Sequence, residues 1–145
     1  MANPNDDPRS HIRLRFIEGL KAELRLLNPQ GVQLTSSTST VLLLNMSQDG
    51  LCFLSGLQLP VQHNYMVELR MQLAKTHLIV RGRIVWCSKH DNQYQHGVRF
   101  ECSDTLKSLI VGAMNEELLA RQPQQRKIHQ LYNRLLHKNK YYFGG

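Results

Sequence analysis

The sequence predicts a mainly β domain, a small antiparallel barrel or sandwich, followed by a helical extension. Three observations lead to this fold class. Stretches rich in Val, Leu, Ile and Thr alternate with polar residues at a period of two, which is typical of half-buried strands. Turn residues separate these stretches at intervals of roughly ten residues. After Ser103 the apolar residues change to helical spacing.

The elements follow one another in a simple order. Residues 1–8 are polar and predict a disordered arm. Residues 28–31 (Asn-Pro-Gln-Gly) provide the first turn. We expect an irregularity at Ser36-Ser37 and a bend or bulge at Gly82. The predicted strands are 20–26, 32–44, 50–55, 65–73, 77–87 and 97–100.

The remainder of the chain predicts helices. Ser103 or Asp104 caps the first helix, which runs to about Ala120. Pro123 breaks the pattern and opens a second helix. The tail, residues 119–145, packs on the β domain with a solvated basic face, docks on a partner, or binds nucleic acid or a membrane. Its basic residues, with no acidic residue among them, are Arg121, Arg126, Lys127, Arg134, Lys138 and Lys140.

Composition limits the function classes. The chain has 145 residues, 41% of them hydrophobic, which suits one domain with one core. Its net charge of +7 favours an anionic partner, whether nucleotide, nucleic acid, acidic protein or membrane surface. No apolar run approaches the ~20 residues of a membrane span. The polar N-terminus differs from a signal peptide.

The cysteines and histidines predict no metal or disulfide. The three cysteines, Cys52, Cys87 and Cys102, lack the short spacing of a zinc site, and we interpret all three as small core residues. The histidines show no zinc-type pairing, and no nucleophile elbow, Walker sequence or carboxylate pair is present. We therefore expect a cytoplasmic protein with no catalytic residue, metal or cofactor.

Two local patterns point to a ligand. Arg9 and Arg13 are four residues apart and face the same way in a strand or a helix, although such a pair is common by chance. The rarer pattern is Asn45-x-Ser47-x-x-Gly50, which joins two predicted strands. An arginine fork matches guanine O6 and N7 or two phosphate oxygens. Asn45 and Ser47 offer hydrogen bonds, and Gly50 allows a positive φ and close backbone approach.

Other residues are secondary candidates. Arg15, Arg81, Arg83 and Arg99 either add positive field around the site or lie on the solvated faces of strands. Trp86 either stacks on a guanine face or, as is commoner for a tryptophan in a strand, belongs to the core. Among these, Arg15 and Trp86 are the candidates for additional ligand contacts.

On these motifs the chain resembles the PilZ family, six-stranded antiparallel β-barrels that are receptors for cyclic di-GMP. The family motifs Arg-x-x-x-Arg and [Asp/Asn]-x-Ser-x-x-Gly match the two patterns above. Residues 82–86 and 94–100 are similar to the family's closing strands. The resemblance covers residues 9 to about 118, which implies a barrel with its first helix over 9–118 and the basic tail over 119–145.

The resemblance implies a receptor and not an enzyme. The ligand would be cyclic di-GMP, held by Arg9, Arg13, Asn45, Ser47 and Gly50. Ligand would order the arginine arm, and a downstream protein partner, engaged through residues 119–145, would recognise that state. An alternative is a PilZ-like structural adaptor for pilus, flagellar or secretion machinery without nucleotide binding. A nucleic-acid-binding barrel is less favoured, because few aromatics interleave with basic residues.

Overall fold

Six strands form one closed antiparallel barrel in the order β1-β2-β3-β6-β5-β4. The computed structural model describes residues 13–137, and the side chains of 13–121, so the predicted arm and Arg9 lie outside the described residues. The predicted mainly β fold with six antiparallel strands and a C-terminal helix is confirmed. The elements are β1 (Arg13–Leu27), β2 (Ser39–Ser47), β3 (Gly50–Ser55), β4 (Met66–Leu73), β5 (Thr76–His90), β6 (Gln93–Phe100) and α1 (Asp104–His137).

The barrel interior is the hydrophobic core. Alternate residues of each strand point inward, and Leu43, Phe53 and Leu69 are among the fully buried side chains. Helix α1 packs on this core through Ile110 and Met114, which lie on one face of the helix at a spacing of four. Burial of one helical face therefore joins α1 to the barrel.

The helix is capped as predicted but is longer than predicted. Ser103 Oγ accepts a hydrogen bond from the amide of Leu106 at 3.2 Å, so Ser103 is the N-cap residue. Helix α1 continues through Pro123 to His137, and the predicted break at Pro123 is wrong. A proline inside a helix removes one backbone N–H donor. The helix continues because the backbone hydrogen bonds of the turns before and after the proline remain.

Several strand boundaries differ from the prediction: β5 extends to His90 and β6 begins at Gln93, and the starts of β1 and β2 also change. Strand β1 starts at Arg13, so the second arginine of the Arg-x-x-x-Arg pair belongs to the barrel. Strand β2 starts at Ser39, and residues 32–38 form a loop. In that loop the Thr35 hydroxyl donates to the carbonyl of Ser37 at 3.2 Å, a local bond that competes with strand pairing.

The irregularities of the sheet lie elsewhere than expected. Pairing passes through Gly82 without a shift on either side, so the predicted bulge there is wrong. A Cβ atom at Gly82 would lie 2.2 Å from the carbonyl oxygen of Arg99, and glycine is needed for close approach of the strands. Within the described strands, the register shifts instead at other places, which are Arg15–Leu20 in β1, Leu43–Asn45 in β2 and Ile84–Trp86 in β5.

The cysteines are free, as expected, but are not all core residues. Cys52 is buried, whereas Cys87 and Cys102 are half-buried. Within the described residues, no cluster of three or more His, Cys, Asp or Glu side chains could hold a metal ion. None of the helical structure in 13–137 is both long and apolar enough to cross a membrane.

A buried histidine ties a loop to the barrel. His96, on β6, is fully buried and stacks on Phe53 with ring centroids 4.7 Å apart. Its Nε2 accepts a hydrogen bond from the amide of Leu59 at 3.0 Å, which requires that nitrogen to be unprotonated. Burial lowers the pKa of His96 below its ordinary value of 6.5.

Protonation of His96 should destabilise the fold in acid. The unfolded chain binds this proton more readily than the folded chain. The contribution of neutral His96 to the free energy of unfolding is therefore complete above about pH 6.5 and is lost as the pH falls below that value. We expect the free energy of unfolding, measured with urea at a series of pH values, to fall less steeply with acidification in His96→Phe than in the wild type. The exposed-histidine control, His77→Asn, should keep the wild-type slope. Equal slopes for all three proteins would contradict this role.

Candidate ligand-binding site

A groove on the outer face of the barrel joins the two sequence patterns. It has a volume of about 400 Å³ and crosses parts of β1, β2, β3, β6 and β5. Four of the predicted site residues border it, and Trp86 does so too. The residues that line it are Arg13, Asn45, Ser47, Asp49, Gly50, Leu51, Cys52, Val85, Trp86, Gln95, Gly97, Val98 and Arg99.

Strand register brings these residues together. Arg13 pairs with Ser47 across β1 and β2, and Arg15 pairs with Asn45. Asn45 in turn pairs with Cys52 of β3. Because neighbouring strands are about 4.8 Å apart, residues from distant parts of the chain meet on one surface. Arg15 is exposed beside the groove but does not line it.

The turn between β2 and β3 is closed by its own serine. Ser47 Oγ accepts a hydrogen bond from the amide of Asp49 at 3.3 Å and donates to the carbonyl of Gly50 at 3.4 Å. Long bonds of this kind shape the turn while leaving the hydroxyl at the groove surface.

Gly50 allows β3 and β6 to approach closely, and the predicted positive φ at this residue is wrong. Within residues 13–137, the glycines with a positive φ are Gly19 and Gly31. A Cβ atom at Gly50 would lie 2.1 Å from the carbonyl oxygen of Val98 on β6. Glycine is therefore required here because β3 and β6 approach closely, which carries the turn to the edge of the groove.

Trp86 forms one wall of the groove, and its interpretation as a core residue is wrong. Its side chain is 42% exposed. The indole lies against Gly97 of β6, where an added Cβ atom would come within 1.9 Å of Nε1. Glycine at position 97 gives the indole room against β6, and the exposed part of the ring is accessible to a ligand base.

The groove floor contains a buried thiol that the sequence patterns do not identify as a site residue. Gln95 Nε2 donates a hydrogen bond to Cys52 Sγ at 3.1 Å. Burial raises the pKa of the Cys52 thiol, and the hydrogen bond from Gln95 and the charge of Arg13 oppose this effect. A neutral thiol adds no negative charge beside Arg13, so the acidic side chain among the described residues that line the groove is Asp49.

Of the other arginines in residues 13–121, Arg99 is the one that lines the groove. Arg81 Nε pairs with the buried carboxylate of Glu68 at 3.0 Å, away from the site. Arg83 pairs with Glu101. Glu68 also pairs with Arg70 at 3.3 Å. Among the described residues, the charged side chains that line the groove are Arg13, Arg99 and Asp49, so its net charge is positive.

Helix α1 contacts the segments that carry both patterns. Lys107 Nζ is 3.5 Å from the Asp49 carboxylate in the β2–β3 turn. Arg121 donates through Nη1 to the carbonyl of Arg15 at 2.9 Å, and its guanidinium lies 5.8 Å from the ring centre of Phe16. The helix is therefore fixed to the same two segments that border the groove.

Comparisons with known proteins agree with this architecture. A family model described as PilZ domain matches residues 6–114. The fold is similar to the PilZ domain with c-di-GMP of YcgR from Escherichia coli, with 14% identity, a TM-score of 0.56, and coverage of 83% of this chain and 99% of that one. It is also similar to the apo state of MrkH from K. pneumonia, with 15% identity, a TM-score of 0.55, and coverage of 86% and 56%. No curated protein matches the chain.

Gly97→Ala should displace the indole of Trp86. The new methyl group would occupy space that the ring now fills, so the ring must tilt away from β6. Trp86 is the only tryptophan in the chain, so its fluorescence reports this directly. We expect altered emission and stronger quenching by iodide, with the β-type circular dichroism retained. Gly56→Ala is the control, because no atom lies within 4 Å of its added Cβ. Wild-type quenching in Gly97→Ala would contradict the described contact.

Proposed function

Because the chain belongs to the PilZ domain family, we propose that it is a receptor for cyclic di-GMP and that the groove is its binding site. The observation that carries this proposal is that Arg13, Asn45, Ser47 and Gly50 border one groove. A positive groove with an open aromatic wall suits a ligand that contains purines and phosphates. No step of this proposal requires a catalytic residue or a cofactor.

Each residue of the groove has a role in the proposal. Arg13 donates to guanine O6 and N7 or to phosphate oxygens, because its planar fork matches both. Asn45 accepts from a guanine N–H, and the Ser47 hydroxyl turns from the carbonyl of Gly50, its acceptor in the turn at 3.4 Å, to donate to phosphate. Trp86 stacks on a purine face. Arg15, outside the groove, contributes positive field.

Signalling in this proposal begins at the N-terminal segment. Residues 1–8 contain few apolar side chains. Arg9 and Arg13 together would bind the ligand. Ligand would then order the segment, and a downstream protein would recognise the ordered state. We propose residues 9–118 as the ligand-binding unit and the basic residues 119–145 as the surface for that partner.

Cyclic di-GMP should bind more tightly than cyclic di-AMP. Guanine offers two acceptors to an arginine fork, whereas adenine has a donor amino group at the same place. We expect a difference of at least about tenfold, or about 1.4 kcal/mol, in a calorimetric titration that also includes GMP. Equal affinities would contradict the assignment of the groove.

Arg13→Ala should weaken cyclic di-GMP binding about tenfold or more, since a hydrogen bond to a charged group contributes about 1.5–3 kcal/mol. Lys21→Ala is a matched control, because it removes one charge from the same strand outside the groove. It should keep wild-type affinity. Wild-type affinity in Arg13→Ala would contradict the role of Arg13, and absence of binding by the wild type would favour the structural adaptor.

Ligand should protect the N-terminal segment from trypsin. Cleavage after Arg9 requires the segment to leave the ligand, so its rate should fall as cyclic di-GMP saturates the site. Mass spectrometry of a timed digest measures the loss of residues 1–9, with cyclic di-AMP at the same concentration as the control. Identical rates with and without cyclic di-GMP would exclude the segment from the site.

A further inference from the structure

A second cavity adjoins the groove. It has a volume of about 350 Å³ and lies on the side of the groove formed by β5 and β6. Val85 and Arg99 line both cavities, so the two are continuous across these side chains. The rest of its lining includes Val61, His63, Arg83 and Glu101. We call this the β5–β6 cavity.

The two arginines of this cavity differ in whether an acidic side chain pairs with them. Arg83 and Arg99 are directly opposite each other across β5 and β6, where two like charges repel. Arg83 pairs with Glu101 and donates to the backbone carbonyl of His63, which satisfies and fixes its guanidinium. Arg99 is exposed and has no ion pair with any of the described residues. An anion between the two cavities would complement Arg99.

Glu101 faces the cavity with its orientation already set. Arg83 holds one carboxylate oxygen, Oε1, and the amide of Glu101 donates to the carbonyl of Arg81 at 2.9 Å. The side chain is 46% exposed, so the carboxylate is accessible to a ligand. A fixed carboxylate is a strong acceptor for two adjacent N–H groups.

Apolar walls flank these charged groups. Val61 is 53% exposed and Val85 is 43% exposed, so both present aliphatic surface to solvent. Flat apolar surface of this kind suits the face of an aromatic ring. The cavity therefore combines two apolar walls, one cation without an ion-pair partner among the described residues and one oriented carboxylate.

We propose that the β5–β6 cavity binds the second guanine of one cyclic di-GMP molecule whose first guanine lies in the groove. This inference rests on the proposed function. The groove, about 400 Å³, is near the lower end of the roughly 300–1,000 Å³ of ligand pockets, so a ligand with two purines extends beyond it. Arg99 binds a phosphate between the two bases, and Val61 and Val85 contact the faces of the second base.

Glu101 selects guanine in this cavity. The Watson–Crick edge of guanine presents N1–H and the N2 amino group, and both donate to a carboxylate. Adenine presents the N1 acceptor there instead, which would face the negative oxygen of Glu101 and leave it without a donor. Guanine is therefore preferred at the second position as well as the first.

Cyclic GMP-AMP with two 3′–5′ linkages isolates the second position. Its guanine can occupy the groove, which leaves adenine for the β5–β6 cavity. In calorimetric titrations the wild type should bind cyclic di-GMP at least about tenfold more tightly than cyclic GMP-AMP. Glu101→Gln should reduce this ratio to about threefold or less, mainly by weakening cyclic di-GMP. Glu23→Gln, which changes a carboxylate that lines a separate cavity, should keep the wild-type ratio.

Arg99→Ala should weaken both ligands to a similar degree, because both carry the phosphate that Arg99 binds. A wild type that binds both ligands equally, or a Glu101→Gln protein with the wild-type ratio, would overturn the second guanine site and leave the receptor proposal intact. Failure of the wild type to bind either ligand would overturn the receptor proposal and this inference together. Circular dichroism of each variant verifies that the barrel is folded.

Discussion

The close approach of β6 to both of its neighbours is the constraint on which the candidate site depends. On one side, a side chain at Gly50 would collide with the carbonyl of Val98. On the other, a side chain at Gly82 would collide with the carbonyl of Arg99. Glycine at these two positions allows β3, β6 and β5 to approach closely, and this contact brings the β2–β3 turn and the indole of Trp86 to one groove.

Because of that constraint, the Asn-x-Ser-x-x-Gly pattern has a role in folding as well as in the proposed binding. Its serine closes the turn through the amide of Asp49, and its glycine makes room for β6. Two of the three specified positions are thus also required by the local structure. A chain could keep them for folding alone, so Arg13 and Asn45 distinguish a receptor from an adaptor better than Ser47 and Gly50 do.

The arginines fall into two groups, those that form ion pairs with glutamates and those that do not. Arg81 and Arg83 are paired with glutamates, and each pair is local to its own face of the barrel. Arg13 lies near a thiol whose pKa is raised by burial, and Arg99 has no ion pair among the described residues. Among the described residues, the groove is thus lined by two arginines and one carboxylate, that of Asp49, and this net positive charge would attract a dianionic ligand.

The sequence by itself determined the number and order of the strands, the Ser103 cap and the chemistry of the two patterns, because alternation, turns and caps are local properties. It did not determine that Trp86 is exposed, that Gly82 is paired without a bulge, or that Arg99 joins the groove. Those features depend on register across β5 and β6, and a slip of one residue would move each side chain to the other face of the sheet. Tertiary structure decided them, since only the closed barrel specifies which residues of distant strands are neighbours.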